Sequence, residues 1–460
     1  MSIAGCIILA LYGVGLIIAI ISNKIRKFEY NVFVGMIAVS LFINIGRSIF
    51  NLSFIYLMEY LYLFTYIIML CLGRRKLKFK RRIFLISTIL ILIIGLSELH
   101  LVLSRNMPNV IPYSIRMDDV YRGSVSAVRA RFSTYNIIHF WYFIIFVIII
   151  LLNYERFTDI QKKSVLLRDV EKLFIWAFGF WTLEWFSNNL ISSSIWRNVV
   201  FEIFGVEKIN TIYYQTNRFG FWGFSGFYSE QSYVSIMFIF YSIYYIKKEL
   251  FGREWLVLIW SSILLVLNGS TTGLAMLPFV IIIIVKNVFK GATHKKIFNR
   301  IIISVVAILG VSVFAILQNS LIRIMVNSTI LKISAYLTGG FFSSTIQTSA
   351  AIRQYGNAIA YNAFKKSPIL GVGIGTTRGY GIITGALACM GVAGIISYLL
   401  FIKASFKVCF NREIRTLCII ILIYFSMILS VWYLYYPTII PLYLALSQGA
   451  TDYNKKYSMS

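Results

Sequence analysis

The sequence predicts an all-α polytopic membrane protein, and three observations carry that reading. Of 460 residues, 59% are hydrophobic and 17% aromatic, while only 13% are charged, about half the share of an average soluble chain. Mean hydropathy is +0.78. The apolar residues also form runs long enough to cross a bilayer, where a helix satisfies its own backbone hydrogen bonds. With 30 Gly and 6 Pro, disordered and collagen-like classes are excluded. The expected architecture is a single integral-membrane domain over residues 1–460 with about 12 or 13 transmembrane helices. A large external loop precedes the Ile382–Ile402 span.

The formal net charge is +27. In a soluble chain that excess would suggest nucleic acid; here it is read first as the positive-inside bias of membrane proteins, with no nucleic-acid partner. Cys6, Cys71, Cys389, Cys409 and Cys418 are scattered, so neither a disulfide framework nor a metal site is expected. His100, His139 and His294 are equally dispersed and supply no zinc ligand set. No cofactor is expected.

The first apolar run, Ile3–Ile21, has no basic residue before it and reads as a retained span. Asn31–Leu72 is 42 residues, or about 63 Å as helix, twice a bilayer core. It divides at Gly46-Arg47-Ser48 into two spans. Beyond it, Arg74–Arg82 holds seven positive charges and no acid, the strongest cytoplasmic marker in the chain. Further spans are expected at Ile83–Val102, Asn136–Leu152, Leu173–Ile191 and Ser232–Ile246. Leu256–Val285 is interrupted by Asn268-Gly269-Ser270-Thr271-Thr272 and has basic flanks on both sides. It reads either as a hairpin whose polar tip floors an external cavity, or as two tilted helices with an ordinary turn. Ile301–Leu317, Ile382–Ile402 and Leu417–Tyr435 follow, and Pro437–Leu446 either crosses or re-enters.

Three segments face outward and exceed simple turns, at about 103–135, 192–231 and 318–381. Their charges are unusual. The first holds five arginines and no lysine, and the third holds Arg323, Lys332, Arg353, Lys365, Lys366 and Arg378 with no acid. The topology bias does not explain outward cations. A guanidinium fork matches two phosphate oxygens at once, so these segments suit a phosphate-bearing ligand; pairing with lipid headgroups is the competing use.

Two motifs stand in those segments. Arg218-Phe219-Gly220-Phe221-Trp222-Gly223-Phe224 continues through Gly226 to Glu230 at the start of a span. Glu230 is either a helix cap, or a general base or orienting partner for a sugar hydroxyl. The second runs from Arg353 to Ser367-Pro368-Ile369-Leu370-Gly371-Val372-Gly373-Ile374-Gly375. Its glycine spacing lacks the strand–turn–helix setting of a dinucleotide site. A glycine loop with free N–H groups beside arginines can instead cradle phosphate.

In this order and placement the motifs resemble bacterial O-antigen and exopolysaccharide polymerases of the Wzy type. The glycine–aromatic turn before Glu230, Thr272-Gly273-Leu274 after the polar break, the Pro368–Gly375 segment and Gly391-Val392-Ala393-Gly394 carry the resemblance, from Arg218 to Ile402. The arginine usual in the polar break is replaced by Thr271 or Thr272. The resemblance implies a metal-independent glycosyltransferase on the outer face of the bacterial inner membrane. Its substrate would be undecaprenyl-pyrophosphate-linked oligosaccharide, drawn from the membrane lipid, with a chain-length regulator as a further partner. By the same resemblance Arg218, Arg353 and Glu230 are the candidate catalytic residues. Arg378, Lys365, Lys366, Gly371, Gly373 and Gly375 are the candidate substrate-binding residues. A lipid-linked oligosaccharide flippase and an O-antigen ligase-type transferase are the rival readings. The 318–381 segment contains no histidine, which favours a polymerase over a ligase.

Overall fold

The computed structural model describes residues 2–42, 52–77, 79–112, 127–191, 198–199, 202–204, 217–218, 221–224, 234, 253–268, 349–377, 381–408 and 434–447. The chain is an all-α polytopic membrane protein. Five of its described helices are long and apolar enough to cross a bilayer: α1 (Ile3–Ile21), α3 (Phe54–Cys71), α4 (Arg81–Leu103), α5 (Thr134–Leu152) and α10 (Ile382–Phe406). Between them lie α2 (Ile25–Phe42), the short α6 (Tyr154–Thr158), α7 (Ile160–Phe186), α8 (Arg253–Leu267) and α9 (Ser349–Lys366), and α11 (Ile440–Leu446) follows α10. The expected spans Ser232–Ile246, Ile301–Leu317 and Leu417–Tyr435, the second arm of the 256–285 segment and the division at 46–48 lie almost wholly outside the described residues.

Local chemistry sets the helix ends. Ser2 caps α1 by accepting from the Gly5 N–H, and Asp159 caps α7 by accepting from the Lys162 N–H. Asn136 in the first turn of α5 accepts from both the N–H and the hydroxyl of Ser133. Leu11, Ile17 and Ile21 on α1 and Trp176 and Leu183 on α7 are exposed. In water such faces would be a liability; toward lipid tails they are the expected surface.

One end of the bundle is basic and holds a buried ion cluster. Glu29 of α2 is inaccessible to solvent and accepts two bonds from Arg156 of α6, at 2.9 Å and 2.5 Å, and a third from Arg75 at 3.3 Å. Arg156 also donates to Asn153 and lies over the rings of Tyr30 and Phe33. Helices α2 and α6 and the segment after α3 are thereby tied together.

Helix α10 is not the continuous span that the sequence suggests. Gly391 has φ 60° and ψ −175° and breaks it, a conformation open in practice only to glycine. In an unbroken helix the N–H groups of Val392 and Ala393 would reach the carbonyls of Ala388 and Cys389. Here they donate to Pro368 and Ile369, while Ala388 and Cys389 accept from Val372 and Gly373. The loop after α9 thus takes both sides of the broken ladder, and the polar backbone stays satisfied. A Cβ on Gly391 would collide with the Ile369 carbonyl.

The described part of the 318–381 segment is ordered structure, a helix (α9) and a tightly bonded loop. Ala360 and Ala363 of α9 pack with Leu101, Met107, Val110, Ala130, Val372 and Ala388. Val110 belongs to a small antiparallel ribbon of β1 (Asn109–Val110) and β2 (Val128–Arg129). Pro437–Leu446 forms a three-residue 3-10 turn and a seven-residue helix, about 15 Å in all and too short to cross.

Candidate functional site

Two assemblies hold the motifs, both at the end of the bundle away from the ion cluster. The first is the glycine loop. Gly371, Gly373 and Gly375 all have positive φ, at 75°, 87° and 86°. The loop folds onto α4 and α5 through side chains that sequence reasoning did not select. The Ile374 N–H donates to Glu98 at 2.5 Å, and the Gly373 N–H donates to Ser97 at 3.2 Å. The Asn136 amide faces Glu98 at 3.0 Å, the Ile374 carbonyl at 3.0 Å and Thr376 at 2.7 Å. A Cβ on Gly373 would lie 2.7 Å from a Glu98 oxygen, and one on Gly375 would lie 2.9 Å from the His139 ring. These glycines are therefore a matter of close approach as well as of backbone conformation.

The N–H groups of Gly371, Val372, Gly373, Ile374 and Thr376 all donate to protein acceptors. The loop braces the break in α10 and leaves these donors unavailable to an anion. Residues 371–377 are all buried.

Beside the loop, Tyr435 bonds His139 Nδ1 at 2.8 Å, and Tyr56 bonds Tyr436 at 2.8 Å while stacking on Tyr142. One helical turn from Tyr56, Glu59 is 1% exposed, and neither carboxyl oxygen has a hydrogen-bond partner. Ionisable groups inside a span are costly and mark function by default. Glu59, Glu98 and Glu184 all break otherwise apolar stretches, and that signal was present in the sequence.

The second assembly is the glycine–aromatic turn. Strand β3 (Asn217–Arg218) pairs with β4 (Phe221–Trp222) through Arg218 and Phe221. Helix α7 ends in a π-helical turn, Ser187–Ile191, whose asparagines hold the turn's backbone. Asn189 both donates to the Trp222 carbonyl (2.8 Å) and accepts from its N–H (2.7 Å), and Asn188 donates to the Gly223 carbonyl (3.1 Å). Asn268, the first residue of the polar break, donates to the Phe224 carbonyl at 2.7 Å. Two motifs that the sequence only placed in order are thus in contact.

The selected residues distribute as follows. Arg353 lies in the first half of α9, one turn before Asn357, which accepts from the Gly381 N–H and the Thr384 hydroxyl at the start of α10. Lys365 and Lys366 form its exposed last turn, with Lys365 Nζ 4.8 Å above the Tyr361 ring. One continuous segment therefore carries Arg353, both lysines and the three glycines. Arg218 is fixed through its backbone in β3. Glu230 and Arg378 lie outside the described residues. No protein-family model matches the chain, and no curated protein matches it.

Proposed function

We propose that the chain is a membrane glycosyltransferase that polymerises undecaprenyl-pyrophosphate-linked oligosaccharide units on the outer face of the bacterial inner membrane. The observation that carries this reading is the pairing of motifs. The glycine–aromatic turn meets the polar break through Asn268 and Phe224, and the glycine loop meets the Gly391 break through four backbone bonds. The sequence elements behind the resemblance are thus working halves of two joints.

In this reading an acceptor sugar hydroxyl attacks the anomeric carbon of the donor. The carbon–oxygen bond to pyrophosphate breaks, its electron pair leaves with the phosphate oxygen, and the hydroxyl proton passes to Glu230. Arg218, Arg353 and Arg378 supply positive charge where the leaving group gathers negative charge, with Lys365 and Lys366 nearby in sequence. The glycine loop braces the break in α10, and phosphate contact falls to these side chains. Substrate tails reach the site from lipid, and a chain-length regulator would act from outside.

Deleting the chain and resolving surface polysaccharide on a gel tests the proposal. Loss of the polymer ladder with single-unit capping supports it. Accumulation of units on the cytoplasmic face would favour the flippase reading instead. A specific observation speaks for that alternative, because a broken helix and an unpartnered intramembrane carboxyl are features of transporters.

A further inference from the structure

The basic end of the bundle holds two kinds of cation. Arg75 and Arg156 pair with Glu29, Lys162 with Glu155 and Lys172 with Asp169. Arg74, Lys76, Lys80, Arg81 and Arg82 are exposed, and no carboxylate among the described residues forms a salt bridge with any of them. Lys80 instead lies over the Tyr154 ring, with Nζ 5.5 Å from its centre. The positive-inside bias accounts for cations at this end. It does not account for their division into a paired set on α6 and α7 and an uncompensated set on the segment that enters α4.

The uncompensated set stands at the foot of an exposed apolar face. Arg81 precedes Phe84 and Leu85 by three and four residues, so it shares their side of α4, and Arg82 stands likewise to Leu85. The exposed stripe continues through Ile89, Leu92 and Leu96. Three residues of helix rise about 4.5 Å, which sets the two guanidinium groups at headgroup depth when the stripe faces lipid tails. Phe79 and Phe84 are both exposed and stack with ring centroids 5.9 Å apart. A soluble anion makes no use of such rings, whereas aromatic side chains are favoured at a bilayer interface. Arg26 donates twice to the Arg74 carbonyl, at 3.2 Å and 2.9 Å, and so brings the turn between α1 and α2 against the same segment.

We propose that Arg81, Arg82 and the apolar stripe of α4 form a docking surface for an anionic phospholipid. The phosphate meets the two guanidinium groups, and the acyl tails lie along Phe84, Leu85, Ile89 and Leu92. Charge complementarity selects this occupant, since the cations lack carboxylate partners and an anionic headgroup supplies the missing charge beside a surface that only lipid covers. The assignment is independent of the polymerase reading.

The test uses the full chain purified in a neutral detergent and titrated with phosphatidylglycerol, with native mass spectrometry counting the lipid retained. Two double variants remove equal charge from the same end of the bundle. Arg81→Gln with Arg82→Gln strips the proposed surface, and Lys162→Gln with Lys172→Gln strips the paired set. The first should bind phosphatidylglycerol about thirtyfold more weakly than the wild type, as for two basic residues lost beside an anionic headgroup. The second should bind within about twofold of the wild type, because its lysines already have partners. Equal losses in the two variants would reduce the effect to summed charge and overturn the surface. Phosphatidylcholine retained as tightly as phosphatidylglycerol would overturn it as well, since tails alone would then decide binding. Glycerophosphoglycerol, the same headgroup without tails, should bind far more weakly than the lipid. Equal binding of the two would reassign the cations to a soluble phosphate and end the proposal.

Discussion

The carboxylate of Glu98 accepts the backbone N–H of Ile374 at 2.5 Å, joining α4 to the glycine loop across 276 positions of sequence. Asn136 closes the arrangement by donating to the same carboxylate and to the Ile374 carbonyl. One acidic side chain in an apolar helix therefore fixes the loop that fills the break in α10.

Removing that acceptor should be felt as lost stability. Glu98→Ala strands the Ile374 N–H and leaves Asn136 with one partner fewer, at about 1–3 kcal/mol for each buried group left unsatisfied. Glu98→Gln keeps an acceptor for Ile374 but turns an NH2 group toward the Asn136 NH2, so a smaller loss is expected. Thermal unfolding of the purified protein in detergent gives the order wild type, Gln, Ala. Identical melting of all three would show that the loop is held some other way.

The break at Gly391 yields a sharper contrast between glycines. Gly391→Ala forces a Cβ into a left-handed backbone position and against the Ile369 carbonyl, so little folded protein should reach the membrane. Gly13→Ala on α1 has no heavy atom within 4 Å of the new Cβ and should be neutral or slightly stabilising. Fluorescence size-exclusion of tagged variants reads both. Normal yield of Gly391→Ala would mean that α10 can run straight.

Much of the fold was legible because burial in lipid demands long apolar runs, and those runs set α1, α4 and α5 to within two residues, while the 31–72 run contained α3 without fixing its start. The break in α10 was hidden for a definite reason. Gly391-Val392-Ala393-Gly394 is apolar, and hydropathy does not register φ. Its partner, the glycine loop, was visible as a motif, but its N–H groups could not be assigned to Glu98, Ser97, Ala388 and Cys389 without knowing which helices pack together. The carboxylates inside spans were the overlooked signal, since each needs either a partner or a function. The polar break that opens at Asn268 is legible as an interruption just beyond α8, and its contact with Phe224 required the third dimension.

Two buried glutamates of opposite kind should respond oppositely to replacement. Glu29 meets Arg156 through two bonds and Arg75 through a third, so Glu29→Leu leaves a buried guanidinium uncompensated, at a cost of about 3–5 kcal/mol. Glu59 has no such partner, and Glu59→Leu should gain about 1–3 kcal/mol by removing an unsatisfied polar group. Melting temperatures of the two variants should therefore move in opposite directions. A fall for Glu59→Leu would show that this carboxyl has a binding partner in the intact membrane. A rise accompanied by loss of polymer would mark it as a functional group that the fold tolerates.

The orientation we expect in the membrane rests on where the cations sit. Translocating the 74–82 segment would carry seven positive charges across the bilayer, and short basic segments of this kind are retained inside. Leu77 and Tyr361, 55% and 45% exposed, offer accessible positions in that segment and on α9. In a chain freed of its five native cysteines, Tyr361→Cys should react with a membrane-impermeant maleimide added to cells whose outer envelope is open. Leu77→Cys should react only after the inner membrane is permeabilised. Labelling of Leu77→Cys from outside would invert the orientation and place α9 on the cytoplasmic side. Arg353, Lys365 and Lys366 would then lie on the wrong side to meet a donor presented outside, and the proposed chemistry would fail with them.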